Sequence, residues 1–418
     1  MKRCFSMGLL ALACQAQAVE LEVSLLYSEG YNQDSGVIVS SEIVGFYRSL
    51  DAANELFKQH NLDLNFVPAK ITAVAESQFD ASMNVTQTRA ALERGALESL
   101  SDHAGHFVMG LARHANSDGT VGYALSFNDA KYAKFDSDLS YKLSKKVAIS
   151  SNILNDAINP RNRYVLVHEL LHGIGAAHDE TGALRFDSYS SGYTFGHGED
   201  CGDGNRSLMA ASFMSSSGVL MLSGSDNCNQ GNGDMVRFIR QFAPRVASHE
   251  NYFHMNTLSM TVFEDVAESE FEFTVTRSKD VSSPSIAYVH VSGSNASVTN
   301  ELAPVLVAFD ANESVKTVAV PFANVHPLFD DAELADKKVF AVAVSESEVM
   351  PSLVELSAIN TQWKPGSDNG NGGDNGNGGD NGNGGDNGSG STGGSSGGSF
   401  GFGGLLTLLY LLRFRSFR

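Results

Sequence analysis

Three histidines and one glutamate lie within the eleven-residue stretch HELLHGIGAAH at positions 168–178. On a helix, His168 and His172 are one turn apart and project from the same face. Two neutral imidazoles placed in this way can bind one Zn²⁺ at about 2.0–2.1 Å. Glu169 lies beside the pair, where its carboxylate can take a proton from a metal-bound water. The spacing therefore predicts a helix that carries a metal site.

The chain must turn after this helix if the third histidine is to reach the same metal. Gly175 permits the left-handed or otherwise non-helical conformation that such a turn needs. The turn would return His178 as a third ligand and leave a fourth position open to water, as in catalytic zinc sites. The alternatives are a helix with merely structural histidines and a degenerate domain that binds no metal.

The stretch resembles the metzincin motif HExxHxxGxxH, and Asp179 after the third histidine is similar to the adamalysin (reprolysin) branch. The resemblance extends from Val19 to about His254. It implies an α+β (α/β/α) catalytic domain with a mixed, twisted sheet, and a zinc-dependent endopeptidase activity. Asp179 and Gly175 are expected to support the turn. The implied zinc ligands and general base are the residues already named: His168, His172 and His178, and Glu169.

The same resemblance implies a Met-turn, which is a methionine beneath the zinc site. Met209, in Ser-Leu-Met-Ala at 207–210, is the best match because it follows a cysteine-bearing loop as in adamalysins. Met214 and Met221 are weaker candidates, and an ordinary core side chain is the alternative for Met209. Since no tyrosine stands two residues after Met209, the tyrosine ligand of the astacin and serralysin branches is not evident.

The first eighteen residues indicate export. Lys2 and Arg3, the apolar stretch 5–13 and the small residues 16–18 are typical of a signal peptide. We predict cleavage after Ala18; a lipoprotein signal acylated at Cys14 is the alternative.

Cleavage leaves two cysteines, Cys201 and Cys228, in an oxidising compartment, and this even pair predicts a disulfide. Closing a loop of about 27 residues around Met209 would contribute about 3.5 kcal/mol.

The formal net charge is −19, which argues against nucleic acid as a partner and against docking on anionic lipid. Some of the excess carboxylates are free to hold Ca²⁺ as a second ion. Asp200 and Asp203 are candidates, although a solvated turn is the favoured interpretation of their loop.

Hydrophobic periodicity places the elements of the first domain. Strands are predicted at 21–27, 107–111, 121–127 and 147–150, with a strand pair within 62–74. Helices are predicted at 39–60, 86–100, 163–173 and 235–246. The strand at 121–127 is expected at the sheet edge, where an extended peptide substrate can pair with its backbone.

From residue 258 onward the pattern changes to short alternating runs separated by turn residues, which predict an antiparallel β-sandwich over 255–362. The runs lie at 260–263, 271–276, 286–291, 315–320 and 339–344. Their order is similar to a Calx-β domain, a type that can bind Ca²⁺, but too few acidic residues align to assign ligands. A spacer or substrate-adhesion role is the default prediction.

Residues 363–399 contain four Asp-Asn-Gly units spaced six residues apart and then Gly and Ser, which predicts a flexible tether. The end of the chain has a glycine pair at 397–398, then an apolar run, and then Arg413, Arg415 and Arg418. It resembles the GlyGly-CTERM sorting signal of Gram-negative bacteria. That resemblance implies a transient inner-membrane tether, cleavage by a rhombosortase-like intramembrane protease and type II secretion. A permanent tail anchor is the alternative.

The sequence thus predicts five segments: a signal peptide (1–18), a zinc protease domain (19–254), a β-sandwich (255–362), a linker (363–399) and a sorting segment (400–418). The predicted function is a zinc endopeptidase that acts on extracellular proteins or peptides. It is secreted or displayed at the cell surface after a membrane-tethered periplasmic stage. The alternative is a catalytically inactive adhesin or binding protein that keeps the zinc fold.

Overall fold

The structure is a computed structural model, and it describes part of the chain. The described residues are 18–28, 40–74, 87, 91, 105–111, 122–124, 147–150, 163–178, 195–210, 213, 220–229, 231–248, 256–278, 281–293, 302–328, 338–345 and 348–356. The chain divides into two compact units, Met1–Pro365 and Gly366–Arg418, and every described residue belongs to the first. The predicted linker and sorting segment lie outside the described residues, as do positions 1–17 of the predicted signal. No helix in the described part of the chain is long and apolar enough to cross a membrane.

The first sheet has five strands: β1 (Val19–Ser28), β2 (Leu64–Val74), β3 (Phe107–Leu111), β4 (Gly122–Ala124) and β5 (Val147–Ser150). Their order is β2-β1-β3-β5-β4. The pairings β1–β2, β1–β3 and β3–β5 are parallel, whereas β4 pairs antiparallel with β5. The mixed sheet and the edge position of β4 are confirmed. Assignment to the metzincin fold remains a prediction.

The strand pair predicted within 62–74 is wrong, because β2 is one continuous strand along β1. The register shifts between Val23, opposite Pro68, and Leu25, opposite Ile71. The backbone N–H of Lys70 donates to Oγ of Ser24 (3.2 Å) within this irregularity. Proline lacks a ladder donor and is tolerated at such bulges, so Pro68 bends the strand without ending it.

Three helices accompany this sheet: α1 (Ser40–Gln59), α2 (Arg163–Ile174) and α3 (Met235–Ser248). Their predicted positions are confirmed within two residues at each end, and of the helix predicted over 86–100 the structure describes only Gln87 and Ala91, both helical. Helix α1 contacts β2 and α2, while α2 contacts β3, β4 and β5 and α3 contacts β1. Every residue of α2 from Val165 to Ile174 is buried. Such a helix belongs to the centre of the core.

A small sheet follows α2 in the chain, made of β6 (Asp200–Gly202), β7 (Asn205–Ser207) and β8 (Leu220–Met221). The β6–β7 turn places Asp203 at φ 52°. Asp200 forms a 2.6 Å ion pair with Arg206 and also accepts a hydrogen bond from the backbone of Gly202 (3.0 Å). These contacts favour the turn interpretation of Asp200 and Asp203, and Ca²⁺ binding in this loop stays a prediction.

The remaining strands form a second, largely antiparallel sheet in the order β12-β11-β14-β15-β9-β10-β13, with β16 paired to β14. They are β9 (Asn256–Asp265), β10 (Glu270–Arg277), β11 (Ser285–Gly293), β12 (Val305–Phe309), β13 (Val315–Pro321), β14 (Val339–Ser345), β15 (Glu348–Val349) and β16 (Val354–Leu356). A short helix, α4 (Phe322–Val325), follows β13. The five predicted runs are strands, whereas β12, β15 and β16 were not predicted. The terminal strands β12 and β13 contact each other. A separate sandwich domain beginning at residue 255 remains a prediction.

Helix α1 also contacts β11 and β14, so it links the two sheets. The hydroxyl of Tyr47 donates to the backbone carbonyl of Met350 at 2.7 Å in a buried position. At the start of the helix, Oγ of Ser40 donates to the carbonyl of Leu302 (3.0 Å) and lies 3.3 Å from Nδ1 of His290. The first predicted domain and the predicted sandwich therefore share buried contacts.

Arg277 organises the loops at one end of the second sheet. Its side chain is buried, and all five of its N–H groups meet an oxygen acceptor. The acceptors are the carbonyls of Glu313 (2.6 Å), Ser283 (2.8 Å), Val281 (3.0 Å) and Asp310 (2.9 Å) and the hydroxyl of Ser285 (2.9 Å). These contacts hold the loops around the guanidinium of Arg277.

Candidate metal centre

Helix α2 carries His168 and His172 one turn apart, with both side chains buried. The helix ends at Ile174, and the next residue, Gly175, donates its backbone N–H to the carbonyls of Leu171 (3.1 Å) and His172 (2.8 Å). Gly175 has φ 113°, a conformation that L side chains rarely adopt. The glycine therefore allows the turn that the sequence predicted, and His178 follows three residues later.

The turn brings the three histidines together. Nε2 of His178 lies 3.0 Å from Nε2 of His168 and 3.0 Å from Nε2 of His172. Zinc ligands in a tetrahedral site are about 3.3 Å apart, since each bond is about 2.0–2.1 Å. In the described part of the chain, this is the one group of three or more His, Cys, Asp or Glu side chains that could hold a metal ion.

Backbone carbonyls set the tautomers of the two helical histidines. Nδ1 of His168 lies 2.7 Å from the carbonyl oxygen of Leu208, and Nδ1 of His172 lies 2.7 Å from that of Ala176. A carbonyl oxygen only accepts, so each Nδ1 carries the proton and each Nε2 presents a lone pair. Nε2 of His178 lies 3.0 Å from both of these atoms, so the three nitrogens converge on one point, as the ligands of a metal ion do. The donor set therefore fits Zn²⁺.

Burial favours the uncharged forms of these groups. It lowers the pKa of His172 to about 4 and that of His168 well below its usual value, with the neighbouring histidines adding to both shifts. Both imidazoles are then neutral at pH 7, as metal ligands must be. Burial also raises the pKa of Glu169 to about 8. A divalent cation at the three histidines would favour the carboxylate form of Glu169.

The structure describes some of the predicted supporting residues and not others. Met209 is fully buried and follows Leu208, whose carbonyl orients His168. Met221 lies in β8, opposite Ser207, whereas Met214 and Asp179 lie outside the described residues. The roles of Met209 and Asp179 therefore stay predictions.

Cys201 and Cys228 form a disulfide with their Cα atoms 4.5 Å apart, which confirms the predicted pair. Cys201 lies in β6, and Cys228 lies in the loop between β8 and α3. The bridge therefore ties the small sheet to the segment that leads into α3.

The structure also places residues at the site that the sequence analysis missed. The ring of Phe213 stacks on His168, with 4.7 Å between ring centroids and 18° between planes. The segment 195–198 pairs with Ala177, which precedes His178: Ala177 N–H donates to the carbonyl of Gly196 (2.9 Å) and Gly198 N–H to the carbonyl of Ala177 (3.0 Å). No ligand spacing marks these residues, because they act through stacking and backbone contacts.

Comparison with solved structures finds only distant similarity. A β-glucosidase from Streptomyces venezuelae, solved with D-glucose, is 14% identical over 65% of this chain and 36% of its own, with a TM-score of 0.19. A GH3 β-glucosidase from Bifidobacterium adolescentis is 13% identical over 81% of this chain and 49% of its own, also with a TM-score of 0.19. The chain thus spans about a third to a half of the lengths of these proteins, and similarity this low assigns it neither fold nor activity.

No curated protein matches the chain. Residues 27–223 match the sequence profile of the family Reprolysin_5, described as metallo-peptidase family M12. The matched range contains the helix, the turn and all three histidines. The match supports a zinc-dependent metallopeptidase, with His168, His172 and His178 as the group that could hold the metal.

Proposed function

We propose that the protein is a zinc-dependent endopeptidase of the metzincin type that hydrolyses bonds in extracellular proteins. The observation that carries this proposal is the convergence of three imidazole Nε2 atoms next to a helix position occupied by Glu169. Structural zinc sites fill all four positions with protein ligands, whereas three ligands and a nearby carboxylate are typical of hydrolytic sites. The complete set of these four residues favours an enzyme over an inactive binding protein.

Zinc at the three histidines would supply a Lewis acid and lower the pKa of a bound water towards 7. The residues of the chain do the rest. His168 and His172, each held by a backbone carbonyl, keep their Nε2 atoms aimed at the shared point. Glu169 takes the proton from the attacking water and delivers it to the leaving amine. Its burial keeps bulk water from competing for that proton.

The position of β4 supports an extended peptide as the substrate. This strand ends the order of the first sheet, and it contacts α2, the helix that carries Glu169. An edge strand offers backbone donors and acceptors to a further strand. A substrate paired with β4 would therefore pass beside the metal centre.

A chelation experiment tests the proposed activity. The purified protein is expected to cleave casein, to lose that activity with 1,10-phenanthroline and to regain it with added Zn²⁺, because the ligands are neutral imidazoles that release and rebind the ion. Cleavage is followed by the release of labelled peptides. Casein cleavage that persists at full rate in the metal-depleted protein would rule out a zinc peptidase.

We also infer export followed by removal of the sorting segment, which the sequence features at both ends support. The Cys201–Cys228 disulfide is compatible with an oxidising compartment. Mass spectrometry of protein recovered from the medium is expected to find a C-terminus before residue 401. A C-terminal peptide that ends at Arg418 would contradict this processing and favour a permanent anchor.

A further inference from the structure

We propose that Glu199 is a positioning residue of the metal centre. Its carboxylate fastens the segment 195–199 to the loop before α3. That segment contacts the turn whose Leu208 carbonyl orients His168, and it also contacts the turn that carries His178. The proposal rests on the zinc site proposed above, and it adds a residue that touches neither metal nor substrate.

The first link connects Glu199 to His168. The backbone N–H of Ser207 donates to the carbonyl of Glu199 (3.0 Å), and Glu199 N–H donates to Oγ of Ser207 (2.8 Å). The next residue, Leu208, supplies the carbonyl that binds Nδ1 of His168 at 2.7 Å. A displacement of Glu199 would therefore move the acceptor that orients the first ligand.

The second link connects the same segment to His178. Gly198, next to Glu199, donates to the carbonyl of Ala177, the residue before His178 (3.0 Å). A Cβ atom on Gly198 would overlap the backbone of Met209 and Ala210. The segment thus lies in close contact with the Met209 turn on one side and with the third ligand's turn on the other.

The carboxylate of Glu199 holds this segment in place. Its Oε2 accepts the backbone N–H of Gly233 at 3.3 Å, and Gly231 donates a second backbone bond. Its Oε1 lies 3.7 Å from Sγ of Cys228. A side chain at Gly231 would overlap Oε2, so the loop fits around the carboxylate. Hydrogen bonds that a carboxylate accepts from backbone N–H groups are among the stronger ones in proteins, so they hold the loop and the segment together.

Asp200 is a matched control for Glu199. It is the next residue and carries the same charge, but its side chain is exposed and forms a surface ion pair with Arg206. A surface ion pair of this kind contributes little to stability. If the negative charge alone mattered, removing it at either position would change metal binding. The proposed positioning role predicts a change only at Glu199.

The test measures metal binding rather than peptide cleavage, using Zn²⁺ alone in competition with a chromophoric chelator. Glu199→Ala is expected to weaken Zn²⁺ binding by about 10- to 100-fold, the effect typical of residues that orient ligands. Glu199→Gln keeps an oxygen acceptor, so it is expected to lose less Zn²⁺ affinity than Glu199→Ala. Gly231→Ala displaces the carboxylate from the opposite side and is expected to act like Glu199→Ala. Asp200→Ala is expected to bind as the unaltered protein does.

The visible spectrum of the Co²⁺-loaded protein separates positioning from general destabilisation. If the histidines shift in Glu199→Ala and Gly231→Ala, the d–d bands of the bound Co²⁺ change. A loss of stability alone leaves these bands unchanged. Unchanged affinity and bands in both variants, or an equal loss in Asp200→Ala, would overturn the proposal. If Glu199→Ala does not fold, Gly231→Ala and Glu199→Gln decide. A protein that binds Zn²⁺ but cleaves nothing would contradict the proposed function alone.

Discussion

Glu169→Gln is expected to lower peptide cleavage by about 10²- to 10⁴-fold while the protein still binds one zinc ion, because an amide has no basic oxygen with which to take a proton from water. Glutamine has nearly the same shape, so the buried position on α2 is preserved. His168 and His172 do not depend on the Glu169 carboxylate for their carbonyl contacts. The measurements are kcat on a labelled peptide and zinc content by atomic spectroscopy.

Glu348→Gln is the matched control for this change. Glu348 is also a buried glutamate, but it lies in β15 of the second sheet and not on α2. The control variant is expected to keep its cleavage rate. Full activity of Glu169→Gln would refute the general-base role, and loss of zinc from that variant would show instead that Glu169 supports the ligands.

The fragment 19–254 is expected to fail to fold by itself, whereas the fragment 19–362 is expected to unfold in a single cooperative transition. Helix α1 buries eleven of its twenty residues and contacts both sheets, so truncation would expose side chains such as Tyr47, which bonds to Met350. Each large side chain that returns to water costs about 1.5–3 kcal/mol. A few of them match the total stability of a domain, about 5–15 kcal/mol.

Urea denaturation followed by circular dichroism, together with gel filtration, measures this effect. Tyr47→Phe provides a milder variant within the longer fragment: it removes the 2.7 Å bond to Met350 and is expected to cost about 1 kcal/mol of unfolding free energy. If fragment 19–254 unfolds cooperatively and binds zinc as tightly as fragment 19–362, then the predicted boundary at 254 separates two independent domains.

Local patterns in the sequence predicted most of the elements and the residues of the metal centre. The amphipathic spacing of α1 and the alternation of β10 and β13 are visible within a few residues, because a helix or a strand exposes its period in its own sequence. The strand pair predicted within 62–74 is one strand with a register shift, and such a bulge depends on the pairing of β2 with β1, which is not visible in the sequence of β2 alone. The very short strands β15 and β16 have too few residues to show a period.

The sequence by itself determined which residues could hold a metal ion, because His168, His172 and His178 belong to one helix and its exit turn. The tertiary structure decided what orients them: the Leu208 carbonyl is 40 residues from His168 in the chain. It also decided that α1 is shared between the two sheets, through contacts such as Tyr47 with Met350, 303 residues apart. A contact between a side chain and a distant backbone carbonyl leaves no periodic or spacing pattern in the sequence, so only the folded chain reveals it.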